Sequence, residues 1–243
     1  METLHLKVYL EIGDLLMNRL RPLHLLIICI CLPLLITSCS YNTQVIPSSY
    51  TNVFKLLRNN LIQKDDAFVD YNLIENIPYA SLLFNFRSSS QSLLILETEY
   101  NDKSRWVSAD SKTITIQEGR IIETLGFPND LLKVKASNLS FKEIINSNQV
   151  SNSTAYYSFK KPDLYNLKVK LETRSLGLIN VAVSGKVKNL YLIEEIISSK
   201  KINWVRKNKY WVDPKDYFVW KSEQDISPRL PRIFITVTKK PAI

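Results

Sequence analysis

Strict two-residue alternation is the feature that most narrows the folds open to this chain. Thr113-Ile114-Thr115-Ile116-Gln117 sets its isoleucines on one side and its polar residues on the other. Leu167-Lys168-Val169-Lys170-Leu171-Glu172, Ile179-Asn180-Val181-Ala182-Val183 and Ile233-Phe234-Ile235-Thr236-Val237-Thr238 follow the same pattern, each with one apolar side and one polar or mixed side. A helix would scatter such residues around its axis, whereas a strand sends successive side chains to opposite faces. Half-buried antiparallel strands are the expected result.

Other segments fill in the pattern. Ala80 to Phe86 and Ser92 to Tyr100, parted by the polar cluster Arg87 to Gln91, read as a hairpin, and Arg105 to Ser108 as a third strand. Glu118-Gly119 is a tight turn whose return strand is Arg120 to Thr124. Gly126-Phe127-Pro128-Asn129-Asp130 is a loop, because Gly and Pro interrupt both regular structures. Leu190 to Ile197 is an apolar run whose period does not decide between strand and short helix. A short helix is expected at Ser140 to Asn146. Another is expected after Ser48 or Ser49, where Val53, Phe54, Leu57 and Leu61 fall at helical spacing. The fold class is therefore mainly β, an antiparallel β-barrel or β-sandwich with one or two small helices. Lys239-Lys240-Pro241 follow the last strand and would discourage further edge pairing.

The amino-terminal region obeys other rules. The apolar run Leu23 to Ile36 ends at Leu34-Leu35-Ile36-Thr37-Ser38-Cys39 and gives way to polar sequence. It has the length of a signal-peptide core and falls short of the ~20 residues of a membrane span. The motif resembles the lipobox of bacterial lipoproteins, which implies cleavage before Cys39 and acylation of that residue. Several acyl chains would hold the product stably to a bilayer, and membrane lipid is thus an expected partner through Cys39. Ser40 stands where inner-membrane retention signals usually carry Asp, which favours the outer membrane. Glu2, Glu11 and Asp14 suit an export signal poorly, whereas Met17-Asn18-Arg19-Leu20-Arg21 leads into the apolar run, so translation is expected to start at Met17. The expected organisation is a signal peptide over 1–38, a lipidated tether over 39–49 and a single β-rich periplasmic domain over 50–243.

Removing the signal peptide restricts the available chemistry. His5, His24, Cys29 and Cys31 all precede Cys39, which leaves no histidine and one cysteine, itself lipidated. No disulfide can form. Most serine and cysteine hydrolase mechanisms and nearly all zinc sites lose their usual residues. No phosphate-cradling glycine loop is present, and neither cofactor nor metal is implied. The net charge of +9 suits anionic headgroups or an acidic polysaccharide, and outside the cytoplasm nucleic acid is not an expected partner.

Aromatic and charged residues are densest between Trp204 and Gln224. Trp204, Tyr210, Trp211 and Trp220 are the candidate glycan or partner contacts, interleaved with Arg206, Lys207, Lys209, Lys215 and Lys221. An indole face can stack on a sugar ring while neighbouring polar groups meet its hydroxyls; the same residues could equally be cross-strand core pairs. Asp213, Asp216 and Glu223 admit a carboxylate-based hydrolase or lyase, although Asp213-Pro214-Lys215-Asp216 reads first as turn chemistry.

Several motifs in order then carry a wider resemblance. These are Ile77-Pro78-Tyr79-Ala80-Ser81, Arg105-Trp106-Val107, Gln117-Glu118-Gly119-Arg120, Thr124-Leu125-Gly126-Phe127-Pro128, Tyr210-Trp211-Val212-Asp213 and Val219-Trp220-Lys221-Ser222-Glu223-Gln224. Together, behind a lipobox, they resemble the group 4 capsule polysaccharide lipoprotein family (GfcB/YjbF type). The resemblance implies a mainly β outer-membrane lipoprotein facing the periplasm, with a non-enzymatic accessory role in capsule or exopolysaccharide assembly or secretion. Its implied partners are periplasmic and outer-membrane β-barrel proteins of a polysaccharide export system. It supplies no catalytic residues. Asp213 to Phe218 departs from the pattern, because a glycine is expected in that turn.

Overall fold

The structure is a computed structural model and describes residue 74 and residues 76–242, except 88, 138–139 and 162. Twelve antiparallel strands form one sheet. In chain order they are β1 (Ser81–Phe86), β2 (Ser92–Tyr100), β3 (Lys103–Ser108), β4 (Thr113–Gln117), β5 (Arg120–Leu125) and β6 (Leu131–Ala136). Helix α1 (Phe141–Ser147) comes next, followed by β7 (Ser151–Phe159), β8 (Leu164–Val183) and β9 (Lys186–Ser199). A single 3-10 turn, Lys200–Ile202, leads to β10 (Trp204–Val212), β11 (Val219–Gln224) and β12 (Ile233–Lys239). The predicted helix after Ser48 or Ser49 lies outside the described residues, as does Cys39.

The spatial order β5-β4-β3-β2-β1-β12-β11-β10-β9-β8-β7-β6 is an up-and-down meander. First and last strands meet, β1 pairing with β12 from Leu82↔Val237 to Phe86↔Ile233. The sheet curls into a nearly closed barrel whose seam falls between β5 and β6. The two lysines near the carboxyl end therefore do not mark an edge: β12 is held on both sides, and Lys239 Nζ donates to the Ile77 carbonyl at 2.7 Å.

Alternation fills the barrel. Leu82, Phe84, Leu94, Trp106, Ile114, Ile121, Leu131, Val169, Leu171, Ile197 and Ile235 form one buried cluster drawn from nearly every strand. Burying each such side chain contributes about 1.5–3 kcal/mol, which makes this layer the main source of stability. The two alternating segments Leu167–Glu172 and Ile179–Val183 belong to one long strand, β8. A bulge joins them: Ser175 pairs with Ile193 but Leu178 with Tyr191, and Gly177 takes a φ of +91°. One extra residue reverses the phase of the alternation. Leu167, Val169 and Leu171 thus face the barrel interior, while Ile179, Val181 and Val183 join Leu190 and Trp211 in a separate cluster on the other face.

The seam is stitched by side chains in place of a backbone ladder. Near one end, Thr124 Oγ1 accepts from the Leu131 amide at 2.9 Å and donates to Asp130 Oδ1 at 3.0 Å. The same carboxylate accepts from the amides of Gly126 and Phe127. This ties the Thr124-Leu125-Gly126-Phe127-Pro128 motif into a loop whose Phe127 ring packs on Phe84 and Phe86, with centroids 5.6 and 5.7 Å away. Toward the other end, the Gln224 side chain serves the free edge of β5: its Oε1 accepts from the Ile121 amide and its Nε2 donates to the Gly119 carbonyl.

Candidate functional site

At the end away from Phe127 the barrel interior turns polar. The β4–β5 turn, Glu118-Gly119, has φ of +47° and +78°, the paired positive values of a two-residue hairpin turn. Gly119 is required for contact as well as for φ, since a Cβ there would stand 2.3 Å from Val219 Cγ2. The turn delivers Arg120, the first residue of β5, into the barrel opposite β9.

There Arg120 meets Glu195, which is 1% exposed. Arg120 Nε donates to Glu195 Oε2 at 2.9 Å, and Nη2 stands at the same distance from that oxygen without aiming an N–H at it. Thr173 Oγ1 donates to Oε2 at 3.1 Å, and Tyr210 Oη to Oε1 at 3.0 Å. Asn208 completes the ring, its Nδ2 reaching the Tyr210 oxygen and its Oδ1 accepting from the Asp225 amide at 2.8 Å. Burial alone would drive the Arg120 charge off, but the Glu195 carboxylate outweighs it and raises the guanidinium pKa. Burial and that carboxylate also push the Tyr210 and Tyr157 phenols above their ordinary range. Both tyrosines therefore stay protonated over any physiological pH.

Helix α1 closes this end. Ser140 Oγ accepts from the Glu143 amide while the Glu143 carboxylate accepts from the Ser140 amide, a reciprocal cap that fixes the helix start. Phe141 then lies with its ring 4.0 Å from the Arg120 guanidinium carbon and 4.9 Å from the Tyr210 ring. A cavity of about 210 Å³ remains beneath, lined by Arg120, Glu195, Tyr210, Tyr157, Asn208 and Gln224 and by β5 and β6 residues from both sides of the seam.

The aromatic hairpin is divided between two faces. Trp204 and Tyr210 point inward: Trp204, 3% exposed, packs edge-on against Tyr157 and Phe159. Trp211 belongs to the cluster on the other face, Trp220 packs against both that cluster and the interior one, and lysines lie over both indoles, Lys221 Nζ 5.2 Å from Trp211 and Lys188 Nζ 4.0 Å from Trp220. The turn between β10 and β11 dispenses with the expected glycine. Tyr217 takes the positive φ, +60°, and Asp213 organises the chain by accepting from the Lys215 amide and from Trp220 Nε1. Asp216 pairs with Lys240, and Glu223 lies 3.6 Å from Arg232 Nη1.

Arg120 and Glu195 were not singled out from the sequence, although a signal was there. Glu195 shares its parity with Ile193 and Ile197, so a strand that buries the isoleucines also buries the glutamate. Among the described residues, no group of His, Cys, Asp and Glu is placed to hold a metal ion, and no helix is long and apolar enough to cross a membrane.

Such a site belongs to a split up-and-down barrel whose interior charges are spent on one another. The chain itself belongs to the group 4 capsule polysaccharide lipoprotein family, described as "Group 4 capsule polysaccharide lipoprotein gfcB, YjbF", which it matches over residues 54–238. It is similar to the "Uncharacterized lipoprotein YjbF" of Escherichia coli (strain K12), 24% identical over 78% of this chain and 84% of the relative. The "Uncharacterized lipoprotein GfcB" of the same organism is 21% identical over 85% of this chain and 94% of the relative. The crystal structure of the hypothetical lipoprotein YmcC from Escherichia coli (K12) shares the fold, with a TM-score of 0.67 at 17% identity, over 81% of this chain and 96% of the other.

Proposed function

We propose that this lipoprotein is a non-enzymatic accessory factor in assembling or secreting a capsule or exopolysaccharide. It is held by lipid on Cys39 at the outer membrane, faces the periplasm, and works by binding export partners or the glycan. The family's link to capsule polysaccharide supports the process.

One observation carries the non-enzymatic part: both oxygens of Glu195, the buried one of the two carboxylates lining the cavity, are already bound by Arg120, Thr173 and Tyr210, and the other, Glu118, lies 3.9 Å from Arg120 Nη1. A general acid or base must exchange its proton with a substrate, and a nucleophile must reach one. Glu195 does neither without dismantling the network. Asp213 is committed to the hairpin turn in the same way.

The test is a strain lacking the gene, complemented with the wild-type protein or with Cys39→Ala, in which surface and released polysaccharide are measured. The account expects output to fall and only the lipidated form to restore it. Unchanged output under conditions of normal expression would remove the proposed role.

A further inference from the structure

The cavity is one place where charge collects; the outer face of β6, β7 and β8 is the other. Register brings Lys135, Tyr156 and Lys168 into one row across three strands, Lys135 opposite Tyr156 and Tyr156 opposite Lys168. Their neighbours Tyr157, Leu167 and Val169 face the core, so all three point outward. Two residues further along β6 stands Lys133, and two along β8 stands Lys170, on the same outer face. Adjacent strands lie about 4.8 Å apart and alternate residues about 6.6 Å, so the four lysines form a diagonal band around Tyr156.

All four lysines are exposed, and Tyr156 retains 43% of its surface. Among the described residues none of the four enters an ion pair. Several cations elsewhere on the sheet are matched: Arg174 and Lys207 share Glu194, Arg105 meets Glu97, and Arg232 meets Asp225 and Glu223. Glu172 lies at the far end of the band and is the nearest carboxylate on β8. Like charges set within a Debye length of one another repel and lower stability slightly, and an anionic partner would relieve that repulsion. A linear arrangement with an aromatic face at its centre fits an extended chain better than a compact ion.

Resting on the accessory role above, we infer that this band is a docking track for an acidic polysaccharide, its carboxylates or other anionic substituents meeting Lys133, Lys135, Lys168 and Lys170 and a sugar ring lying on Tyr156. The track is a surface for holding a polymer in passage.

The test uses the full-length protein in detergent and affinity electrophoresis through gels containing polygalacturonate or neutral dextran. Retardation is expected with polygalacturonate only, and it should weaken as salt rises from about 50 to 200 mM. Replacing the four lysines by Gln should cost about tenfold or more in affinity. A control that removes the same charge elsewhere, Arg87→Gln, Lys103→Gln, Lys215→Gln and Arg229→Gln together, should cost much less, with thermal melting confirming that both variants fold. Tyr156→Ala should weaken binding at unchanged charge. Equal losses in the two charge variants would overturn the track in favour of bulk charge. Binding to phosphatidylglycerol vesicles without binding to polygalacturonate would overturn it in favour of a membrane surface. A deletion strain that loses polysaccharide while the protein ignores polygalacturonate would sink the track and leave the accessory role standing.

Discussion

The two ends of the barrel solve the same problem with opposite chemistry. At one end a loop ordered by Asp130 drops Phe127 onto Phe84 and Phe86, and apolar contact closes the interior. At the other, α1 lays Phe141 over a guanidinium that is itself spent on Glu195, and a cavity of about 210 Å³ remains. The apolar closure depends on ring contacts and needs no counter-ion, although a second cavity of about 180 Å³ lies against Phe84, Phe86 and Phe127. The polar closure is stable only while every partner is present, since a buried charge that loses its counter-ion carries its full desolvation cost. The difference teaches that the polar end specifies an arrangement: Arg120 on β5 and Glu195 on β9 must meet across the barrel, which positions an edge strand that lacks a complete ladder.

This comparison can be broken most forcefully at the polar end. Arg120→Met alone should lower unfolding free energy by about 3–5 kcal/mol, because it strands Glu195 in the interior. Arg120→Met combined with Glu195→Gln should recover most of that loss, since the Gln oxygen accepts from one of the Tyr210 and Thr173 hydroxyls, its amide nitrogen donates to the other, and no charge remains. Chemical denaturation of the three proteins measures both effects. A double variant as unstable as the single would contradict the reading of the pair as mutually neutralising.

At the apolar end the expected effect is smaller. Phe127 is half-buried, and Phe127→Ala should cost about 2–3 kcal/mol, without rescue by any charge change at the other end. Additivity of Phe127→Ala with the Arg120 variant, within about 0.5 kcal/mol, would show that the two closures act independently. Strong coupling would mean that they close as one unit.

The smallest effect concerns pH. Hydrogen bonds from Lys207 and Arg174 hold the Glu194 carboxyl below its ordinary range against the opposing effect of burial. A group whose folded pKa is depressed contributes stability above its unfolded value, and that contribution is lost as pH falls through the folded one. Stability should therefore decline as pH drops below about 4.3, and Glu194→Gln should flatten the decline. An unchanged acid limb in the variant would remove Glu194 from the explanation.

Much of the fold was legible where one face is apolar and the other polar. Thr113–Gln117 matches β4 residue for residue, the return strand and its Glu118-Gly119 turn follow it, and the short helix expected at Ser140 to Asn146 is α1, one residue later at each end. Strands β6 and β7 were not foreseen. Ser151-Asn152-Ser153-Thr154 carries no apolar alternation, and its pairing is dictated by β8 alongside it. The long β8 read as two segments, because the bulge at Ser175–Leu178 reverses the phase and hides continuity from a period-two reading. Register across strands is also what assembles the lysine band, and no single segment's sequence reveals it. As for the candidate contacts, alternation could separate Trp211 from Tyr210, but only tertiary packing shows Lys188 and Lys221 over the outer indoles.

The central claim is that Glu195, the carboxylate buried against Arg120, holds structure and performs no chemistry. Its most direct test is polysaccharide output from a deletion strain carrying the Arg120→Met, Glu195→Gln double variant at wild-type abundance. The account predicts output close to that of the wild type, because the neutral pair preserves the barrel. A folded, lipidated double variant that yields no polysaccharide would contradict it and put Glu195 back among catalytic candidates.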